Sequence, residues 1–299
     1  SPSSYRKTMN LKFSLTSIML PHLDLPQTCV LLKQQGFDGL ELRVRPYAGD
    51  SQAAPSPWGR HMTDISPGNV KARACEIKAA LADHGLKLAA FASSVNALEL
   101  NTMKQLAEGA VATGCRLIRV TAPRDYTGET GYLELYDEAA HAFEKALAIT
   151  RPYGIKCIIE THQGSIFVSA SLTHRLVSLF DPADIGILYD PQNNVADGFE
   201  TIPLALDLMG PYLAHLHVGG HACVHGAPDK NGTVTWTYPR CPLGEGRFDY
   251  PLLLKELHKR QYSGFISVED FDETRTPERR VAEAISYLRK IDPSSMPST

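Results

Sequence analysis

Short runs of β-forming residues alternate along the chain with stretches of helical period, and glycine or proline marks most junctions. Leu11–Ile18 alternates as a strand and breaks at Pro21. Asp24–Gln35 then reads as a helix, with Pro26 near its first turn and Gly36 as its C-cap. Phe37–Val44 is a strand, followed by a Pro/Gly/Ser-rich loop to Ile65. Ser66-Pro67 opens a helix that reaches His84 and stops at Gly85. Leu86–Ser93 is strand-like, Leu98–Thr113 is helical and closes on Gly114, and Arg116–Val120 is a strand. After the loop Pro123–Thr130 comes a long amphipathic helix ending near Tyr153. The strand in Ile155–Gly164, IKCIIETHQG, follows, and then a helix over Ser169–Phe180. Strand Ile185–Asp190, a helix around Ile202–Met209 and strand Leu213–Val218 lead to a long loop, Gly219–Phe248. Helix Tyr250–Gln261, strand Phe265–Glu269 and helix Pro277–Ile291 complete the pattern.

This is about eight strand–helix units, which predicts a parallel sheet covered by helices. Eight units in a chain of 299 residues favour a single closed (β/α)8 TIM barrel over an open doubly wound sheet, since barrels of ~250 residues are typical. No GxGxxG or P-loop follows the first strand, which removes the main reason to expect a dinucleotide fold. No linker-like break interrupts the pattern. One domain over residues 9–292 is expected, after a polar tail at 1–8.

Composition narrows the function classes. The chain is 43% hydrophobic and 21% charged, as in soluble globular proteins. A net charge of −3, with no basic stripe, argues against a dedicated nucleic-acid partner. The six cysteines show no CxxC spacing and suggest a reducing, cytoplasmic compartment; a bridge between Cys223 and Cys241 is not expected. No apolar run of ~20 residues predicts a membrane span. Arg6 and Lys7 before Leu11–Leu20 imitate a signal peptide, but Lys12, Ser14, Thr16 and Ser17 interrupt its apolar core.

Four strands end in side chains that can hold a metal: Glu160, Asp190, His217 and Glu269. In a barrel these ends share one face, the face that carries active sites. Three carboxylates and an imidazole make an oxygen-rich mononuclear site, with Mn2+ expected first and Mg2+, Co2+ or Zn2+ possible. Such a metal can stabilise an enediolate formed when a proton leaves carbon next to a carbonyl. Glu160 and Glu269 would serve as bases on opposite faces of the substrate, giving epimerisation, or isomerisation if the proton returns to the neighbouring carbon. His215 shares a face with His217, which lies nearer the strand end and is the favoured ligand. His162 reads as a substrate contact, a hydrogen-bond donor behind the ligands, or a structural histidine. Glu41, Arg43 and Arg119 end strands and would touch substrate hydroxyls or brace ligands. Asp270 and Asp272 read as helix-start or surface charges. Trp58 and Trp236 lie in long loops and suit lids that stack on a sugar face.

Five segments carry a family resemblance: ETHQG, YDPQNN, AHLHVGG, CPLGEGRFDY and GFISVEDF. They resemble the xylose isomerase-like barrel superfamily, and within it the sugar phosphate isomerase/epimerase group with its ketose 3-epimerases and inosose dehydratases. The resemblance runs from Leu11 to Ile291 and is densest after Lys156. It implies that Glu160, Asp190, His217 and Glu269 bind one divalent metal, with the two glutamates as the acid/base pair. Asn193 stands where ketose 3-epimerases carry a histidine. Gly219-Gly220-His221 stands where they place Gly-Glu and an arginine after the strand-seven histidine. Both positions would alter substrate contacts. The DPxN and PLGEG patterns are similar to a subgroup that includes C-glycoside deglycosidase catalytic subunits and 3-oxo-sugar epimerases or dehydratases, where the same chemistry ends in elimination.

The leading expectation is therefore a sugar isomerase or epimerase, with a lyase as the alternative. The absence of a phosphate-binding glycine loop points to a non-phosphorylated sugar or oxo-sugar. The family implies a homo-oligomer or a partner subunit. A DNA-repair endonuclease of this barrel would need more metal ligands and a basic groove. A non-catalytic sugar-binding barrel would not need Glu269 for turnover.

Overall fold

The computed structural model describes residues 9–198 and 200–295. The expected tail at 1–8 lies outside them. Among the described residues, eight parallel strands close into a barrel. In chain order they are β1 (Lys12–Thr16), β2 (Gly39–Val44), β3 (Lys87–Ser93), β4 (Leu117–Arg119), β5 (Lys156–Glu160), β6 (Ile185–Tyr189), β7 (Leu213–Val218) and β8 (Phe265–Val268). The ring closes where Lys12 of β1 lies opposite Phe265 of β8.

One main helix follows each strand. These are α1 (Leu25–Gln35), α2 (Ala74–Asp83), α3 (Leu100–Thr113), α4 (Tyr132–Thr150), α5 (Ala170–Val177), α6 (Ile202–Met209), α7 (Tyr250–Lys259) and α8 (Pro277–Ile291). Local signals explain their ends. Asp24 and Gln27 form a reciprocal capping box at the start of α1, and Gly36 closes the helix at φ 83°.

The pleat sorts the side chains into two environments. Phe13, Leu15, Leu40, Leu42, Cys157, Ile159, Ile185, Ile187, Ile266 and Val268 belong to the main core shared with the helices. A small separate cluster of Ala90, Ile158 and Leu188 fills the barrel interior. Alternate positions nearer the strand ends are buried and polar: Thr16, Glu41, Arg43, Glu160 and His217. The barrel interior is therefore apolar below and polar above. A register shift between β6 and β7 sets Ile187 opposite Leu213 but Leu188 opposite His215, so Ala214 is an extra residue in the ladder.

Two segments depart from the sequence expectation. The helix expected to open at Ser66 begins at Ala74. Asn69 accepts from the Ser66 amide and donates to the Asp64 carbonyl, and Arg73 bonds the Thr63 and Asp64 carbonyls, so side chains hold this stretch in turns. The long loop after β7 contains an antiparallel hairpin, Val224–Pro228 with Val234–Thr237. Its turn runs through Asp229 and Gly232, the latter at φ 81°; the polar turn residues and the run Val-Thr-Trp-Thr were the missed signals. All six cysteines are free. No helix among the described residues is long and apolar enough to cross a membrane.

Candidate metal centre

Glu160 ends β5, Asp190 follows β6, His217 lies in β7 and Glu269 follows β8. Each of the four offers one donor atom, and these atoms all lie within 4.8 Å of one another. His217 Nδ1 is the common neighbour, at 3.2 Å from Glu160 Oε1, 3.5 Å from Asp190 Oδ2 and 3.3 Å from Glu269 Oε2.

Each donor is held from behind. Glu41 accepts from Nε2 of His217 at 2.9 Å and from Nε2 of His215 at 2.5 Å. A proton kept on Nε2 would let Nδ1, which faces the three carboxylates, give its lone pair to a cation among them. His215 therefore lies behind the centre, on Glu41, and His217 lies in it. Arg119 Nε donates to Glu160 Oε2 at 2.6 Å. The Asp190 amide donates to Thr161 Oγ1 at 2.9 Å, and Asn193 Nδ2 donates to Asp190 Oδ2 at 3.1 Å. Gln192 Nε2 donates to Asp190 Oδ2 and to the backbone oxygen of Glu269, both at 3.3 Å. Gly219 permits this approach: a Cβ there would lie 2.2 Å from Gln192 Oε1 and 2.4 Å from the Glu269 oxygen.

The electrostatics are those of a cation site. Burial pushes Asp190 well above the usual carboxylate range; Glu160 and Glu269 add to the effect, while hydrogen bonding with His217 opposes it. Glu160 moves the other way, because Arg119 and His217 outweigh its burial and hold it ionised. Burial works against charge on His217, but Glu41, Glu269, Asp190 and Glu160 outweigh it and raise its pKa. Asp190 Oδ1 is buried without a hydrogen-bond partner. An orphaned carboxylate oxygen beside two other carboxylates is what a divalent cation would satisfy, so the residues fit one.

A family model described as a xylose isomerase-like TIM barrel matches residues 29–291. The chain belongs to this family. No curated protein matches it by sequence. Solved structures similar to it include the probable 3-DHS dehydratase AsbF from Bacillus anthracis, at TM-score 0.69 and 18% identity, covering 93% of this chain and 98% of that one. The 3-keto-D-glucoside 4-epimerase YcjR from E. coli aligns at TM-score 0.69 and 15% identity, covering 94% and 99%. The IOLI protein with a bound zinc atom aligns at TM-score 0.69 and 16% identity, covering 96% and 100%. At these identities the likeness concerns the fold.

In this xylose isomerase-like barrel Glu160, His217 and Glu269 open into a cavity of about 260 Å³, while Asp190 is fully buried. Arg119, His162 and Asn193 line it, as does Trp58, which is 62% exposed and packs on Phe271 with ring centroids 5.0 Å apart. Trp236 does not line it: the ring stands on the exposed hairpin, edge-on to His225 at 5.3 Å. Glu41 is buried behind the ligands, which suits bracing rather than substrate contact. Arg43 is also buried, and it holds the Gly59 carbonyl in the Trp58 loop. Asp270 and Asp272 are buried on Arg275 rather than exposed as surface charges. His221, which the family comparison of motifs marked as altering substrate contacts, lines the cavity, and so do Arg45, Gln192, Arg240 and Phe271, which were not anticipated. Arg45 and Gln192 sit one and three residues beyond a strand end, which was their only local signal.

Proposed function

We propose that the chain is a divalent-metal-dependent sugar isomerase or epimerase, moving a proton at carbon next to a carbonyl. The convergence of Glu160, Asp190, His217 and Glu269 within 4.8 Å at the open end of the barrel carries this reading. Three carboxylates and one imidazole favour a hard ion, Mn2+ first. When bound, such an ion supplies Lewis-acid stabilisation of negative charge developing on the substrate oxygen.

The protein supplies the proton transfers. Glu160 and Glu269 reach the centre from β5 and from the end of β8, on either side of Asp190 and His217. One can take a proton from one face of the substrate while the other returns it to the opposite face. Their roles are unequal. Arg119 occupies Oε2 of Glu160 and weakens it as a base. Glu269 Oε1 carries no hydrogen bond among the described residues and is the freer acceptor. The Trp58–Phe271 wall offers an apolar face against which a sugar ring can stack and shed water.

A lyase reading is favoured by one further observation. A second cavity of about 370 Å³ lies over the ends of β4 and β5 and shares Arg119, Glu160, His162 and Gln163 with the first. It offers room for a leaving group, and loss of that group after the same proton abstraction would be an elimination.

Elemental analysis of wild type and Asp190→Ala is the first test, with about one divalent metal per chain expected in wild type and much less in the variant. Metal-loaded enzyme in D2O is then screened for deuterium uptake into sugars. Glu160→Gln and Glu269→Gln should each lower the exchange rate by about 10²–10⁴-fold. A product that has lost water or an aglycone would identify the lyase. No metal after reconstitution, or near-normal exchange in both glutamine variants, would overturn the reading.

A further inference from the structure

Two guanidinium groups in the wall of the cavity have no carboxylate partner. Arg45 follows β2 and is partly buried; its Nε donates to the Ala92 carbonyl at 3.3 Å, and its Cζ lies 5.4 Å from the Trp58 ring centroid. Arg240 precedes the CPLGEG segment, with its Cζ 5.1 Å from the Phe271 ring centroid. Trp58 and Phe271 are themselves in contact, so the two cations flank a single aromatic pair. Among the described residues neither arginine comes within 4.0 Å of a carboxylate. Arg119 and Arg275 show the alternative, resting on carboxylates at 2.6 and 2.7 Å.

The charge of the site sharpens the contrast. With His217 neutral as a ligand, Glu41, Glu160, Asp190 and Glu269 would be balanced by a divalent ion, Arg119 and Arg45. Arg240 then leaves the loaded pocket net positive. A guanidinium held over an aromatic ring keeps its edge N–H groups free to donate, and a planar oxyanion is their best acceptor.

We propose that the substrate carries an oxyanion seated between Arg45 and Arg240 against the Trp58–Phe271 wall, which makes its class an anionic sugar, a sugar acid first, rather than a neutral sugar. The inference rests on the reading of the neighbouring carboxylate cluster as the reaction centre. A carboxylate agrees with the lack of a phosphate-binding glycine loop in the sequence; a phosphate offers the same acceptor chemistry.

The experiment is calorimetric titration of the Mn2+-loaded enzyme with matched pairs, D-tagaturonate against D-tagatose and D-fructuronate against D-fructose. D-fructose 6-phosphate is the third arm. Wild type, Arg45→Gln, Arg240→Gln and Arg240→Lys are compared, with thermal melts to verify folding. The acids should bind roughly tenfold to a hundredfold more tightly than their neutral partners. Each glutamine variant should lose most of that preference, and the lysine variant should recover part of it. The same arginine-dependent preference for the sugar phosphate would place the oxyanion on phosphorus and uphold the inference.

Neutral sugars binding as tightly as the acids, no binding of either anion, or a preference that survives both glutamine variants would overturn it. Deuterium uptake, followed in parallel, separates the two readings. Exchange into neutral sugars with no preference for acids sinks the anion inference and keeps the isomerase. Arginine-dependent binding of acids with no exchange in any sugar does the reverse.

Discussion

His217 can offer Nδ1 to a metal only while Nε2 holds its proton, and Glu41 enforces that tautomer. The same carboxylate accepts from His215, so one buried residue orients two imidazoles. Burial alone would raise the pKa of Glu41, but His217 and His215 hold it below the usual carboxylate range. In Glu41→Gln an amide N–H₂ would confront one of the two Nε2–H groups, and that histidine must turn or change tautomer. Metal affinity should fall by about 10–100-fold, measured by competition with a chromogenic chelator. Unchanged affinity would mean that Glu41 only fills space. The four strand-end donors were legible residue by residue because period-2 alternation points them inward. Gln192, Arg45 and Arg240 were not, because no local pattern says what a loop side chain will meet across the barrel.

The segment between β2 and α2 shows how an element acquires its place. Trp58 reaches the cavity from a turn held by Arg43 on the Gly59 carbonyl and by His61 Nε2 on the Pro57 carbonyl at 2.8 Å. Burial pushes the His61 pKa down to about 4; the Pro57 hydrogen bond opposes this, and Arg43 and Arg45 add to it. An unfolded histidine titrates near 6.5, so between about pH 6.5 and 4 the unfolded chain takes up a proton that the folded chain refuses. This contribution is complete above pH 6.5 and is lost as pH falls toward 4, by about 2 kcal/mol once partial solvent screening is allowed for. His61→Asn should flatten the dependence of Tm on pH over that window, and an unchanged slope would refute the assignment. Element limits were legible where propensity and core packing agree, as in α6, β7 and α8. They were lost at Ser66, where side-chain turns compete with the helix, and in the loop after β7, where the hairpin was missed.

Across the whole molecule the barrel forces like charges together. Glu160, Asp190 and Glu269 belong to different strand–helix units, and ring closure brings them within 4.8 Å. A divalent ion relieves that repulsion in the folded state only, so binding should stabilise the fold by mass action. At a hundredfold excess over Kd the gain is about 2.7 kcal/mol, several degrees in Tm for a chain of this size. Differential scanning calorimetry with and without Mn2+ checks it, and Asp190→Ala should remove the shift. A melt indifferent to metal in wild type would count against the site.

The sequence alone determined the strand–helix alternation, the barrel expectation and the four inward strand-end donors, because these depend on periodicities a few residues long. Tertiary structure alone decided that Glu41 braces His215 and His217, that Trp58 joins the cavity wall while Trp236 stands apart, and that Arg45 and Arg240 flank one aromatic pair. The physical reason is separation along the chain. Glu41 and His217 are 176 residues apart and meet only because eight strands close into a ring. No local pattern encodes such a partnership, since it is set by register, twist and the course of the loops.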